Sequence, residues 1–148
     1  MAALAKSVLK LSESEAIVRI AGKDANPVTI SLATDLLSTT QEIVGTPTAT
    51  IIGVQWAGEP GAIYKIDRGG VRIVTPLADN GNFIDFMGTQ FPPESTNATN
   101  DIVVTIVNAA GSSVQGELWL RLRKTSGYAS KIELAQFGSY DNPNVVGS

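Results

Sequence analysis

The clearest hydrophobic pattern in the chain runs from Ile102 to Lys124. Its second half alternates: Leu118, Leu120 and Leu122 take one phase, and Glu117, Trp119, Arg121 and Arg123 the other. A period of two is the mark of a half-buried strand, because successive side chains leave opposite faces of the sheet. The first half, Ile102 to Val107, is β-branched almost throughout, as in a strand covered on both faces. With Asn-Ala-Ala-Gly-Ser-Ser between them, the two halves predict a β-hairpin at the centre of a sheet.

The rest of the chain repeats this grammar. In Ala16–Ala21, Val18 and Ile20 share one face and Ile17 and Arg19 the other. Turn residues from Gly22 to Pro27 precede a strand at Val28–Leu32. Asp35–Glu42 reads as an extended loop, since Ser38-Thr39-Thr40 weakens any helical turn. Thr48–Trp56 is a strong strand. Ala62, Tyr64 and Ile66 alternate with Lys65 and Asp67, and Arg68-Gly69-Gly70 turns the chain into Val71–Thr75 as a hairpin with a loop of two or four residues. Asn82–Met87 and Lys131–Phe137 complete the strands, while Phe91-Pro92-Pro93 interrupts the sheet. Residues 1–11 fit either a helical face of Leu4, Val8 and Leu11 or the start of a strand, and are read as an arm ending in a short strand.

About nine or ten short strands with closely spaced turns predict an all-β chain: one antiparallel β-sandwich or barrel-like domain over residues 12–140. An N-terminal arm, 1–11, and a C-terminal tail, 141–148, extend from it.

Composition narrows the function. The chain has 148 residues, favouring one domain. Charged residues are only 17%, below the usual ~25%. A net charge of −3 without any basic run argues against nucleic-acid binding. Arg121, Arg123 and Lys124 come closest to a cluster and read as the solvated face of a strand. The absence of Cys and His removes thiolate nucleophiles, disulfides, the commonest general base and the commonest metal ligands. No apolar run is long enough for a transmembrane helix, and Lys6 and Lys10 break any signal-peptide pattern, so the expected site is the compartment of synthesis.

Candidate chemistry is sparse. Asp67, Asp79, Asp85 and Asp101 lie near strand ends, where a carboxylate pair could hydrolyse a glycoside, but Asp also favours turns for its backbone hydrogen bonds. Asp79-Asn80-Gly81-Asn82 lacks the later Glu and flanking helices of an EF-hand. Ser7 and Lys10 match only the bare spacing of a Ser-x-x-Lys pair. Asn97-Ala98-Thr99 is a sequon without a secretory context. No catalytic, metal or cofactor site is expected. Trp56, Tyr64 and Trp119 could form a carbohydrate platform or simply pack. Trp119 stands out, because a large ring on the polar phase of a strand must meet a second sheet or a partner.

The chain resembles the small virion structural proteins of tailed bacteriophages, of the marine and cyanobacterial kind. The resemblance is carried by Ile52-Gly-Val-Gln-Trp56, the Ala62–Thr75 hairpin with Arg68, and Asn97–Thr105. Glu117-Leu-Trp-Leu-Arg-Leu followed by Gly127-Tyr128, and Gln136-Phe-Gly-Ser-Tyr140, add to it. It implies a capsid decoration or cement protein on the outer head surface, made in the host bacterial cytoplasm. The implied partners are the major capsid protein or other virion proteins, with a homo-oligomer, by analogy a trimer. Neither membrane nor nucleic acid is an implied partner. A place in the neck or tail is the alternative, and a carbohydrate-binding or host-adhesion module the competing class. The contact candidates are Trp119, Arg121, Arg123, Trp56, Leu4, Val8 and Val145, since chain ends can add a strand to a neighbour's sheet.

Overall fold

A computed structural model describes residues 4–73, 77–78, 81–84 and 98–131. The strands are β1 (Ala5–Leu11), β2 (Glu15–Lys23), β3 (Val28–Ile30), β4 (Gln41–Gly58), β5 (Ile63–Arg68), β6 (Val71–Arg72), β7 (Leu77–Ala78), β8 (Gly81–Ile84), β9 (Ile102–Val107) and β10 (Gln115–Ser130). They form two antiparallel sheets. The first has the order β1-β2-β10-β4-β8; the second has β3-β9-β5-β6, with β7 also on β5. No closed barrel forms among the described residues.

Among the described residues, the expected nine or ten short strands are corrected to eight of three residues or more, because β6 and β7 have two residues each. Two strands are also long, β4 with 18 residues and β10 with 16. The cause is β-bulges: the β10–β4 register shifts at three places, so one ladder continues through irregularities that in sequence resemble turns. The expected strand after Ser130 lies outside the described residues, apart from Lys131.

The expected hairpin is also corrected. β9 and β10 belong to different sheets, and only one bridge, Val107 with Ser113, joins their ends. The Asn108 side chain accepts hydrogen bonds from the N–H groups of Ala110 and Ser112, both at 2.9 Å, and tightens the turn. Ile102, Val104 and Ile106 then face Leu118, Leu120 and Leu122 across the interior, all six with no exposed surface. In one flat hairpin both rows would need cover from elsewhere; split between two sheets, they cover each other. β9 is accordingly buried on one face only, with Val103 and Thr105 half-buried. At Gly116 the sheets come so close that a Cβ would lie 2.7 Å from the Ile106 Cγ2 atom.

Other expectations hold. β2 buries Val18 and Ile20 and turns Ile17 and Arg19 outward. β5 buries Tyr64 and Ile66. The β5–β6 loop has two residues, because Arg68 pairs with Val71. Gly69 and Gly70 both have positive φ, 59° and 78°, as such a loop requires. Residues 5–11 of the expected arm are the edge strand of the first sheet, paired with β2.

Each sheet ends one apolar row with a buried cation. The row Ala62, Tyr64, Ile66 continues to Arg68, and the row Leu118, Leu120, Leu122 continues to Lys124. Arg68 is fully buried and donates to the carbonyls of Ala49 (2.7 Å), Ala98 (2.8 Å) and Asn100 (2.9 and 3.0 Å). It thereby ties β5 to β4 and to the loop before β9. Lys124 was expected on the solvated face. Instead it points inward and donates to the Leu36 carbonyl and to Gln41 Oε1, both at 2.6 Å, with its ammonium 4.9 Å from the centre of the Tyr128 ring. Burial pushes its pKa below the ordinary 10.5. Tyr128 donates to the Leu32 carbonyl at 2.7 Å, and burial pushes its hydroxyl up to about 12.

Candidate functional site

The outer face of the first sheet is built by β10 and its two neighbours. Trp119 pairs with Arg19 of β2 and Gln55 of β4; Arg121 pairs with Ile17 and Gly53; Glu117 pairs with Ala21 and Ala57. Residues directly opposite share a face, so these side chains surround the indole. Trp119 is 37% exposed, whereas Leu118 and Leu120 beside it are fully buried. The ring rises above small neighbours, because Gly53, Ala21 and Ala57 contribute almost no side chain.

One hollow opens beside the ring, and a second lies further along the face, past Glu117. One, of about 170 Å³, is lined by Ile17, Gly53, Gln55, Trp119 and Arg121 and is mostly apolar. The other, of about 280 Å³, runs past Arg19, Ala57, Gly58, Glu59 and Glu117. Its polar edge is held by an ion pair from Arg19 Nε to Glu117 Oε2. The Arg19 hydrogen bond holds the Glu117 carboxyl below its ordinary 4.5, burial opposes this, and the Trp119 indole adds to the lowering. Beyond the apolar hollow, Glu15 is shared by Lys10 and Arg121, each 3.6 Å away. These pairs orient side chains more than they stabilise the fold, since exposed ion pairs contribute little.

The candidate residues separate. Trp119 and Arg121 lie together on this face, and Arg123, half-buried, follows on the same phase beside Glu15 and Thr50. Trp56 is 8% exposed, and its indole N–H donates to the Ala78 carbonyl at 3.0 Å. It pairs with Leu118, so it belongs to the core and not to a contact surface. Tyr64 is fully buried, so Trp56, Tyr64 and Trp119 make no common platform. Leu4 packs into the core rather than extending outward. Val8 is 38% exposed on edge strand β1, next to Leu9, the extra residue of a bulge. That bulge and the flanking Lys6 and Lys10 discourage pairing with another chain at this edge. Val145 lies outside the described residues.

The carboxylates have local duties. Asp67 accepts from Arg72 Nε at 2.6 Å, and Asp101 accepts from the Leu32 N–H at 3.0 Å. The side chains of Asp79 and Asp85 lie outside the described residues. Among the described residues no three of Asp, Glu, His and Cys gather as metal ligands. Gly53 and Ile17 are parts of the surface that the sequence did not single out. Their signal exists only in register, because Gly53 reaches Arg121 and Ile17 solely through cross-strand pairing. No protein-family model, no curated protein and no solved structure matches the chain.

Proposed function

We propose that the chain is a non-enzymatic virion structural protein of a tailed phage, of the decoration or cement kind, which docks through the outer face of its first sheet. The observation that carries this reading is Trp119, an exposed ring at the middle of a five-stranded sheet, with an apolar hollow of about 170 Å³ beside it. Interface anchors are typically Trp, Tyr and Arg seated near the centre of a patch, and Trp119 with Arg121 supplies two of these. The resemblance of the sequence to phage virion proteins supplies the partner, a capsid subunit. A site repeated over a shell needs only modest affinity per copy, because multivalency multiplies it.

The test is co-sedimentation with purified phage heads and the temperature at which those heads rupture. The expected result is saturable binding, hundreds of copies per head and a raised rupture temperature. A stoichiometry of six or twelve would place the protein at the neck or tail; failure to bind any particle would reject the virion reading. A second reading, a carbohydrate-binding module, draws on the ring-sized hollow beside Trp119. It requires a neutral glycan to bind where heads do not.

A further inference from the structure

Lys124 is a buried amine on the inner face of the first sheet, away from the docking surface. It is 8% exposed, and Gln41 beside it is 3% exposed. Its Nζ donates to Gln41 Oε1 and to the Leu36 carbonyl and lies over the Tyr128 ring. No carboxylate of the described residues comes within ion-pair distance of it. Burial lowers its pKa and favours the neutral amine, although the charge of Glu13 opposes this. A desolvated neutral lysine is a nucleophile. The group it touches is an amide carbonyl, an electrophile for such an amine. With a C=O bond of about 1.23 Å, a hydrogen bond of 2.6 Å puts Nζ roughly 2.9–3.8 Å from Gln41 Cδ, which spans the near-attack range of about 3–3.5 Å. The amide is held in place, because Gln41 Nε2 donates to the main-chain carbonyl of Glu13 at 2.9 Å. The Glu13 carboxylate itself accepts from Thr40 Oγ1 at 2.7 Å. Glu13 and Thr40 are exposed, so the buried pair lies just beneath solvent.

We propose that Lys124 and Gln41 join in an intramolecular isopeptide bond, formed by the folded chain itself. The step balances without a co-reactant. Lys124 gives a proton to Glu13 and turns its lone pair onto Gln41 Cδ. The Nζ–Cδ bond forms, the Cδ–Nε2 bond breaks, and two of the three Nζ protons leave on Nε2 as an ammonium ion, past the exposed Glu13 and Thr40. An ammonium and a primary amide thus become a secondary amide and free ammonium. The product no longer buries a charge without an ion-pair partner, and its amide N–H can keep the Leu36 carbonyl as acceptor. The bond would tie the start of β4 to β10 across the stretch where their register shifts twice, between Lys124 and Ser126 and between Ser126 and Tyr128. It would close an interval of 83 residues in a chain that has no Cys for a disulfide. A hydrogen bond alone explains the contact. It does not explain a lysine at a place that methionine would fill without a buried charge. The inference is independent of the docking reading.

The experiment is intact-mass spectrometry of the full-length protein, purified and then held for days at about pH 9 to favour the neutral amine. The linked chain should be lighter than its sequence by about 17 Da, one ammonia. Trypsin should then fail to cut after Lys124 and should release residues 24–65 joined to residues 124–131. Lys124→Met and Gln41→Met, which keep unbranched side chains at buried positions, should stay at the full mass of their sequences. Glu13→Gln should slow the loss at least about tenfold. Full mass of the native chain after the incubation overturns the inference. So does a lighter chain without joined peptides, as ring closure at Asn80-Gly81 would give. The same mass loss in Lys124→Met also overturns it, and a native rate in Glu13→Gln rejects the proton route. The native chain decides the outcome even where a variant fails to fold. In the linked chain Lys124 carries no ammonium, so its alkaline titration belongs to the unlinked chain.

Discussion

The two faces of β10 are one strand read in two phases. Leu118, Leu120, Leu122 and Lys124 point inward, and the three leucines have no exposed surface. Glu117, Trp119, Arg121 and Arg123 point outward, and Trp119 keeps 37% of its surface in solvent. The contrast teaches that position on the sheet outweighs residue type. A lysine is buried because its phase is inward and carbonyls await it; a tryptophan is exposed because its phase is outward and its cross-strand neighbours are small or polar. Substitutions on the inward phase should alter stability, and those on the outward phase should alter binding.

The largest stability effect is expected at Arg68, where the second sheet repeats the inward pattern. Arg68→Ala leaves the carbonyls of Ala49, Ala98 and Asn100 without this donor in the interior. Denaturant unfolding should show a loss of about 3–5 kcal/mol, the range for breaking a buried charged network. Leu120→Ala comes next, with about 2–5 kcal/mol for the cavity left in a fully buried row. Its neighbour Trp119→Ala should cost clearly less, about 1 kcal/mol, because the ring is partly in solvent and its removal leaves no enclosed cavity. If Trp119→Ala were as damaging as Leu120→Ala, the division between faces would be lost.

Alkaline titration sharpens the inward side. The lowered pKa of Lys124 means that the folded chain binds fewer protons than the unfolded chain up to pH 10.5, so stability rises with pH through that window. Tyr128, at about 12 against an ordinary 10.0, acts oppositely: between those values the folded chain keeps a proton that the unfolded chain releases, and stability falls. Stability followed from neutral pH to pH 12 should therefore rise and then descend, and Tyr128→Phe should flatten the descent.

The smallest effect belongs to Glu117. Its depressed pKa contributes stability that is present above pH 4.5 and is lost as pH falls through the lower folded value. Glu117→Gln should cost only a few tenths of a kcal/mol, because the pair with Arg19 is exposed to solvent. It should also free the Arg19 side chain, visible as faster exchange of its Nε proton.

The alternation made the inward rows legible in the sequence, residue by residue, for β2, β5 and β10. It could not assign strands to sheets. Val107, Asn108 and Ser113 look locally like a hairpin, and only the need of two apolar rows for mutual cover sends β9 and β10 to different sheets. Lys124 stands at the next inward position of its row, yet charge argued for solvent, and Arg68 read as the start of a turn; what decided their burial was a supply of carbonyls from residues distant in sequence. Trp119 was legible as an exception to its strand. Its hollow was not, because Gly53 and Ile17 join it only through pairing across β4 and β2.

The most direct test of this separation is one variant measured twice. Trp119→Ala should unfold within about 4 °C of the native chain, the shift that corresponds to about 1 kcal/mol in a chain of this size and well short of that for Leu120→Ala. In the same preparation its binding to purified heads should fall at least about tenfold, as for loss of an interface anchor. A large fall in unfolding temperature, or binding equal to that of the native chain, would contradict the account.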